Sequence, residues 1–272
     1  MALFAGSGGA TARAAPLALD PSAAGQGTTL LVAADEPVLS PNGQAARSVT
    51  FALTRGMRID TSAVPQLCGR RDAAHAACPE PSRIGFGRFT LDVRGYDLGG
   101  GQTELAWAID AYLGEPQRQG DAASVVLTSN LLGADLVGAL VAPGLGTTVP
   151  TATTTIGRLI RRASGAYGVE LQFASLPAEL DAVAPATAVP ARLELSLSAV
   201  RRVRQNFVRR IRVPTPSGYE VRKIPDHRLV GHYLLRTPRS CNGSWASETR
   251  VGLPGGEKRT AARIACTKAA GS

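Results

Sequence analysis

The chain has 272 residues, 44% hydrophobic and 19% charged, which excludes a disordered protein and leaves length for a buried core. Aromatic residues make up only 5%, so that core rests on Val, Leu, Ile and Ala, and no apolar run is long enough to predict a spanning helix. The formal net charge of +9 is confined: residues 1–199 hold 14 Arg against 17 acids, and residues 200–272 hold 16 basic residues against 4 acids.

The chain opens on "MALFAGSGGATARAAP", an apolar start followed by small residues. Ala12-Arg13-Ala14 fits the pattern before a signal-peptidase cut, so residues 1–14 are expected to be a residual secretory signal or a loose tail. Beyond it, period-2 alternation dominates. "SVTFALT" sets Val49, Phe51 and Leu53 against Thr50, Ala52 and Thr54. "GRFTLDV" sets Phe89, Leu91 and Val93 against Arg88, Thr90 and Asp92. "TELAWAIDAYL" buries Leu105, Trp107, Ile109, Ala111 and Leu113 and leaves Glu104 and Asp110 outside. "GVELQFA" and "ARLELSLSA" continue the rhythm with Val169, Leu171 and Phe173, then Leu193, Leu195 and Leu197. Each is a strand with one dry and one wet face, as antiparallel sheets require.

Turn residues separate the strands: Asn42-Gly43, the glycines at 99–101, "TPSG" at 215–218 and "LPGGEK" at 253–258. The fold class is therefore all-β, an antiparallel β-sandwich. Its length permits two packed lobes, residues 15–145 and 146–272, with the boundary in Pro143–Pro150 or in the Pro/Ala-rich stretch 176–191. The segment 199–213, "AVRRVRQNFVRRIRV", fits a helix with Val200, Val203, Phe207 and Ile211 on one side. The preceding strand and the β-branched residues favour an extended chain, with Arg202, Arg204, Asn206, Val208, Arg210 and Arg212 on one face.

Four cysteines, Cys68, Cys78, Cys241 and Cys266, allow three disulfide pairings, of which the local one, Cys68–Cys78 with Cys241–Cys266, is simplest. Cys241 and Cys266 would then close a hairpin turning at Pro254-Gly255-Gly256. Neither pair has zinc-ligand spacing, and although His75 lies between Cys68 and Cys78, a fourth ligand would have to come from afar. His227 and His232 have the right separation but would point to opposite faces of a strand. A thioredoxin-like role lacks its Cys-x-x-Cys.

The stretch "VPQLCGRRDAAHAACPEPSRIGFG" resembles a signature of exported β-rich proteins from GC-rich Gram-positive bacteria, carried by Pro65, Cys68, Cys78, Pro79, Ser82, Ile84 and Gly85. The ending resembles the same proteins' C-terminal hairpin through Cys241, Gly243, Trp245 and Cys266. The resemblance implies export, disulfides and a β-rich fold, and it supplies no catalytic residues.

No Gly-x-Ser-x-Gly elbow, Ser-x-x-Lys, P-loop or dinucleotide fingerprint is present, so no cofactor is implied. Glu104 and Asp110 are about 20 Å apart on one extended strand, too far for a glycosidase pair by themselves. The reading is a secreted or cell-surface binding or structural protein of the cell envelope, without enzymatic activity. Arg202, Arg204, Arg210, Arg212, Arg222 and Lys223 would face an anionic cell-wall polymer, a glycan or a membrane surface. Three alternatives remain open. A carbohydrate-binding module would expose Trp245 or Tyr219 as a stacking platform. A hydrolase would converge groups around Asp110, Asp226 and His227. A nucleic-acid binder suits the arginines but conflicts with disulfides and export.

Overall fold

The computed structural model describes residues 16–39, 46–94, 104–132, 152–174 and 187–268. The expected signal remnant at 1–14, the Asn42-Gly43 turn, the glycines at 99–101 and both candidate lobe boundaries lie largely or wholly outside these residues.

The alternation becomes strands. In chain order they are β1 (Leu17–Asp20), β2 (Gly27–Asp35), β3 (Ser48–Thr54), β4 (Arg58–Ile59), β5 (Arg83–Arg94), β6 (Glu104–Gly114), β7 (Asp121–Leu131) and β8 (Ala152–Arg161). Then come β9 (Tyr167–Phe173), β10 (Thr187–Leu197), β11 (Val200–Thr215), β12 (Gly218–Tyr233), β13 (Leu235–Arg236), β14 (Ser244–Leu253) and β15 (Gly256–Ala265). The named strands pair antiparallel, and thirteen of them form one sheet in the order β15-β14-β3-β9-β8-β7-β6-β5-β10-β2-β13-β4, with β1 on β2. Strands from the two halves of the chain interleave: β3 lies between β14 and β9, and β10 between β5 and β2. The sheet rolls until its ends meet. Ala23 pairs with Thr267 beyond β15, and one apolar core takes in Leu30, Phe51, Trp107, Leu171, Leu195 and Ile264 from across its width.

The dry faces read from the sequence are dry but for Leu105, at the start of β6, which is half-buried against the core. Trp107, Ile109, Ala111 and Leu113 are buried on β6, and Leu193, Leu195 and Leu197 on β10. Strand β3 departs from its pattern, because Thr50 and Ala52 on its expected wet face are buried too. Ala52 sits opposite Glu170 on one side and Glu248 on the other. Glu170 receives Arg162 (2.6 Å) and Arg250 (3.2 Å), and Arg250 also binds Glu248 and lies over the Tyr167 ring. This lattice of long side chains roofs the two small residues, since aliphatic stems can cover apolar surface while their charged ends stay wet.

Both disulfides are local. Cys68–Cys78 has a Cα–Cα distance of 5.1 Å and Cys241–Cys266 one of 5.9 Å. The first closes a loop that holds a short helix, Arg70–Ala74. Cys68 is fully buried and is tied to the end of β6, donating to the Leu113 carbonyl and accepting from Glu115. With its cysteines bonded to each other, that loop offers no thiolate to a metal, and His75 caps the helix. The second disulfide joins the ends of the β14–β15 hairpin, which turns at Pro254-Gly255.

Strands β11 and β12 stand apart. They form a separate two-stranded ribbon, 16 residues on each side, paired from Val200↔Tyr233 to Thr215↔Gly218. At about 3.3 Å per residue it is about 50 Å long. The extended reading of 199–213 is the one the chain adopts.

Candidate functional site

The ribbon's two faces differ. On the face of Val203, Phe207 and Ile211, the charges are largely answered from within. Glu220 accepts from Arg222 at 3.1 Å, Asp226 lies 3.9 Å from Arg209, and Arg228 binds Gln205 while its guanidinium stands over Phe207. Val203, Ile211 and Val213 are half-buried beneath these side chains.

The opposite face carries Arg202, Arg204, Arg210 and Arg212 from β11 and Lys223 from β12, with Arg210 directly opposite Lys223. The ribbon's only acids, Glu220 and Asp226, both belong to the first face, so this one has five cations and no carboxylate. All five are exposed. Arg204 donates to Nδ1 of His227 at 3.1 Å, and none of the five makes an ion pair among the described residues. Residues 200–233 hold nine basic residues against two acids, a net charge of +7 out of the chain's +9. The sequence grouped Arg222 with these cations. It projects from the other face, because Arg222 and Lys223 are neighbours on one strand and alternate.

Apolar side chains are interleaved with the cations. Val208 is 61% exposed, Val221 57%, Leu229 68% and Tyr219, near the tip, 74%. Midway along, Asn206, Val208, Pro225 and His227 line a shallow hollow. A proline within a strand is tolerated here because each strand of a two-stranded ribbon has one open edge.

The ribbon is fixed at its root. The Tyr233 ring lies on Gly27, where an added Cβ would come within 2.0 Å of the ring, and Arg236 stacks on it at 5.0 Å. His232 reaches the single-turn 3-10 helix Thr61–Ala63, whose N-cap is Asp60. Its Nδ1 lies 2.9 Å from the Asp60 carboxylate and 2.9 Å from Ser62 Oγ, and the Ser62 hydroxyl donates to Asp60 at 2.5 Å. A carboxylate only accepts, so Nδ1 carries the proton. Burial raises the Asp60 carboxyl, but the hydrogen bonds from Ser62 and His232 outweigh it and hold the group below its ordinary value.

Asp60, Ser62 and His232 are the three residue types of a hydrolytic triad, and their gathering was not read from the sequence. The signal was local: Asp60 followed by Ser62, an N-cap pattern. Their geometry is wrong for a relay. A base must hold serine on one ring nitrogen and the acid on the other, whereas here both converge on Nδ1. The groups named for a hydrolase do not converge either. Asp110 is on β6, bound to Arg83 at 2.5 Å. Asp226 and His227 are on the ribbon, facing opposite ways.

Trp245 is no stacking platform. It is 5% exposed, its indole N–H donates to the Ser240 carbonyl at 3.0 Å, and it packs in the core with Cys241 and Cys266. Of the two aromatics proposed for a sugar, only Tyr219 is exposed. No helix among the described residues is long and apolar enough to cross a membrane. No family model matches the chain, and neither the curated proteins nor the solved structures contain a match.

Proposed function

We propose that this is an exported, non-enzymatic binding protein of the cell envelope, which engages an anionic surface through the acid-free face of its ribbon. One observation carries the reading: five exposed cations lie on one face of a ribbon whose two carboxylates both point the other way. A random scatter of charge would not sort itself so. Exposed clustered cations without acidic partners raise the local concentration of polyanions and speed their capture. The paired cysteines suit an oxidising compartment. A sugar-binding module is less well supported, since its better candidate, Trp245, is buried.

The test is binding to immobilised long-chain polyphosphate across a salt series. Affinity should fall steeply as the Debye length shrinks from about 10 Å at 0.1 M to about 3 Å at 1 M. Changing Arg202, Arg204, Arg210, Arg212 and Lys223 to Gln should abolish retention, while Arg222→Gln, on the other face, should change it little. Salt-independent binding, or equal loss from Arg222→Gln alone, would overturn the reading.

A further inference from the structure

The acid-free face is not only cationic. A soluble polyanion would satisfy Arg202, Arg204, Arg210, Arg212 and Lys223 but would leave Val208, Val221, Leu229 and Tyr219 in water between them. A second copy of the chain could cover those apolar side chains, but apposing two such faces would bring ten like charges together. One kind of surface answers both features: an anionic bilayer, whose phosphates meet the cations while its headgroup-acyl boundary takes up the apolar side chains. We propose that the ribbon lies on an anionic phospholipid membrane with this face down.

Three observations support that orientation. The described residues of this face are exposed along the ribbon from Arg202 to Pro214 and from Tyr219 to Leu229, with Val208, Val221, Leu229 and Tyr219 at 57–74%, whereas the other face half-buries Val203, Ile211 and Val213 and leaves Phe207 and Ile224 less open, at 40% and 43%. The outward face holds both of the ribbon's carboxylates and the downward face holds none. Tyr219, an amphipathic ring at the far end of the ribbon, is of the type that settles at a membrane-water interface. The ribbon extends about 50 Å and its main body contact is at the root, where Tyr233 of this same face lies on Gly27, so the stretch of the face from Arg204 toward Tyr219 lies beyond that contact. Binding that combines buried apolar area with attraction to anionic lipid is the general mode of interfacial elements that lie on, and do not span, a membrane.

This inference rests on the anionic-surface reading above, and the experiment separates the two. Binding of the whole protein is measured by co-sedimentation with vesicles of phosphatidylcholine alone, with vesicles containing phosphatidylglycerol, and on long-chain polyphosphate. Each cation near an anionic surface contributes about a fivefold gain, so wild type should prefer phosphatidylglycerol vesicles to neutral ones by at least about a hundredfold. The variant Val208→Thr, Val221→Thr, Leu229→Thr keeps every cation and strand-favouring side chains. It should lose about tenfold or more on the anionic vesicles and nothing on polyphosphate. As an independent readout, Tyr219→Trp adds an indole at the tip, against a background of Trp107 and Trp245 that are both buried. The emission of the introduced indole should shift to the blue on anionic vesicles and be quenched by brominated lipid. If the threonine variant binds anionic vesicles as tightly as wild type, or the introduced indole still emits as one in water while the protein is bound, the membrane inference fails and the polyanion reading stands. If wild type binds neither vesicles nor polyphosphate at low salt, both fail.

Discussion

Replacing Asp121 by Asn tests the electrostatics of the sheet directly. Asp121 begins β7, and its side chain is only 1% exposed. Its two oxygens accept from Arg158 of β8 at 2.6 and 3.0 Å and from the Arg118 backbone at 3.0 Å. The Arg158 hydrogen bonds, opposed by a smaller effect of burial, hold the Asp121 carboxyl below its ordinary value. Asparagine keeps one accepting oxygen but turns an amide N–H₂ toward the guanidinium and removes the countercharge. Breaking a buried pair costs about 3–5 kcal/mol. Arg158 is 23% exposed and retains Gln172 at 3.3 Å, so a smaller cost, about 2–3 kcal/mol, is expected here. The sign with pH follows from the depressed carboxyl. Its contribution is fully present above the unfolded-state value of about 3.9 and is lost as pH falls through the lower folded-state value. Urea unfolding of both proteins with disulfides intact, at pH 7, 5, 4, 3 and 2, should therefore show a gap that is constant down to about pH 5 and closes in acid. A gap as wide at pH 2 as at pH 7 would refute the charge-based account and leave a packing defect in its place.

Four other outcomes can be checked on the same footing. Trp245→Ala should cost about 3–5 kcal/mol in urea unfolding, with Trp245→Phe retaining most of that, because the indole fills the core beside Cys241. Native protein should show no reactive thiol. Removing Cys241–Cys266 should cost about 3.5 kcal/mol and Cys68–Cys78 about 2.7 kcal/mol, from sequence separations of 25 and 10, compared by chemical denaturation of the two double-serine variants. Gly27→Val should evict the Tyr233 ring from its seat and speed amide exchange at the ribbon root, leaving exchange in β6 and β7 unchanged.

Much of the sheet was legible because period-2 alternation reports which side chains share a face. Trp107 with Ile109 and Leu193 with Leu195 needed nothing more. Alternation cannot report what lies against a face. Thr50 and Ala52 are small and neutral, and only the cross-strand register, which brings Glu170, Glu248 and Arg250 over them, makes their face dry. The same limit applies to the ribbon. "AVRRVRQNFVRRIRV" signalled an extended basic strand, but its partner is interrupted by Pro225 and carries no clean alternation, so the ribbon as a unit was not read. Arg222 shares the charge of the acid-free face but not its parity, and so lies on the other side of the ribbon. Asp60, Ser62 and His232 meet across 172 residues of sequence, a distance that local patterns cannot bridge.

The order of strands in the sheet also sets when this protein can fold. Val49 of β3 lies opposite Phe173 on one side and Val251 on the other. Closing such distant pairs comes before any reward from packing them, which makes folding slow compared with a meander of neighbouring strands. Until residues 244–253 have been synthesised, β3 lacks one neighbour and keeps an open hydrogen-bonding edge. A chain cut short before that point exposes one of its driest strands as a template for other chains. The arrival of β14 is thus the event that converts an open edge into an interior strand of the sheet.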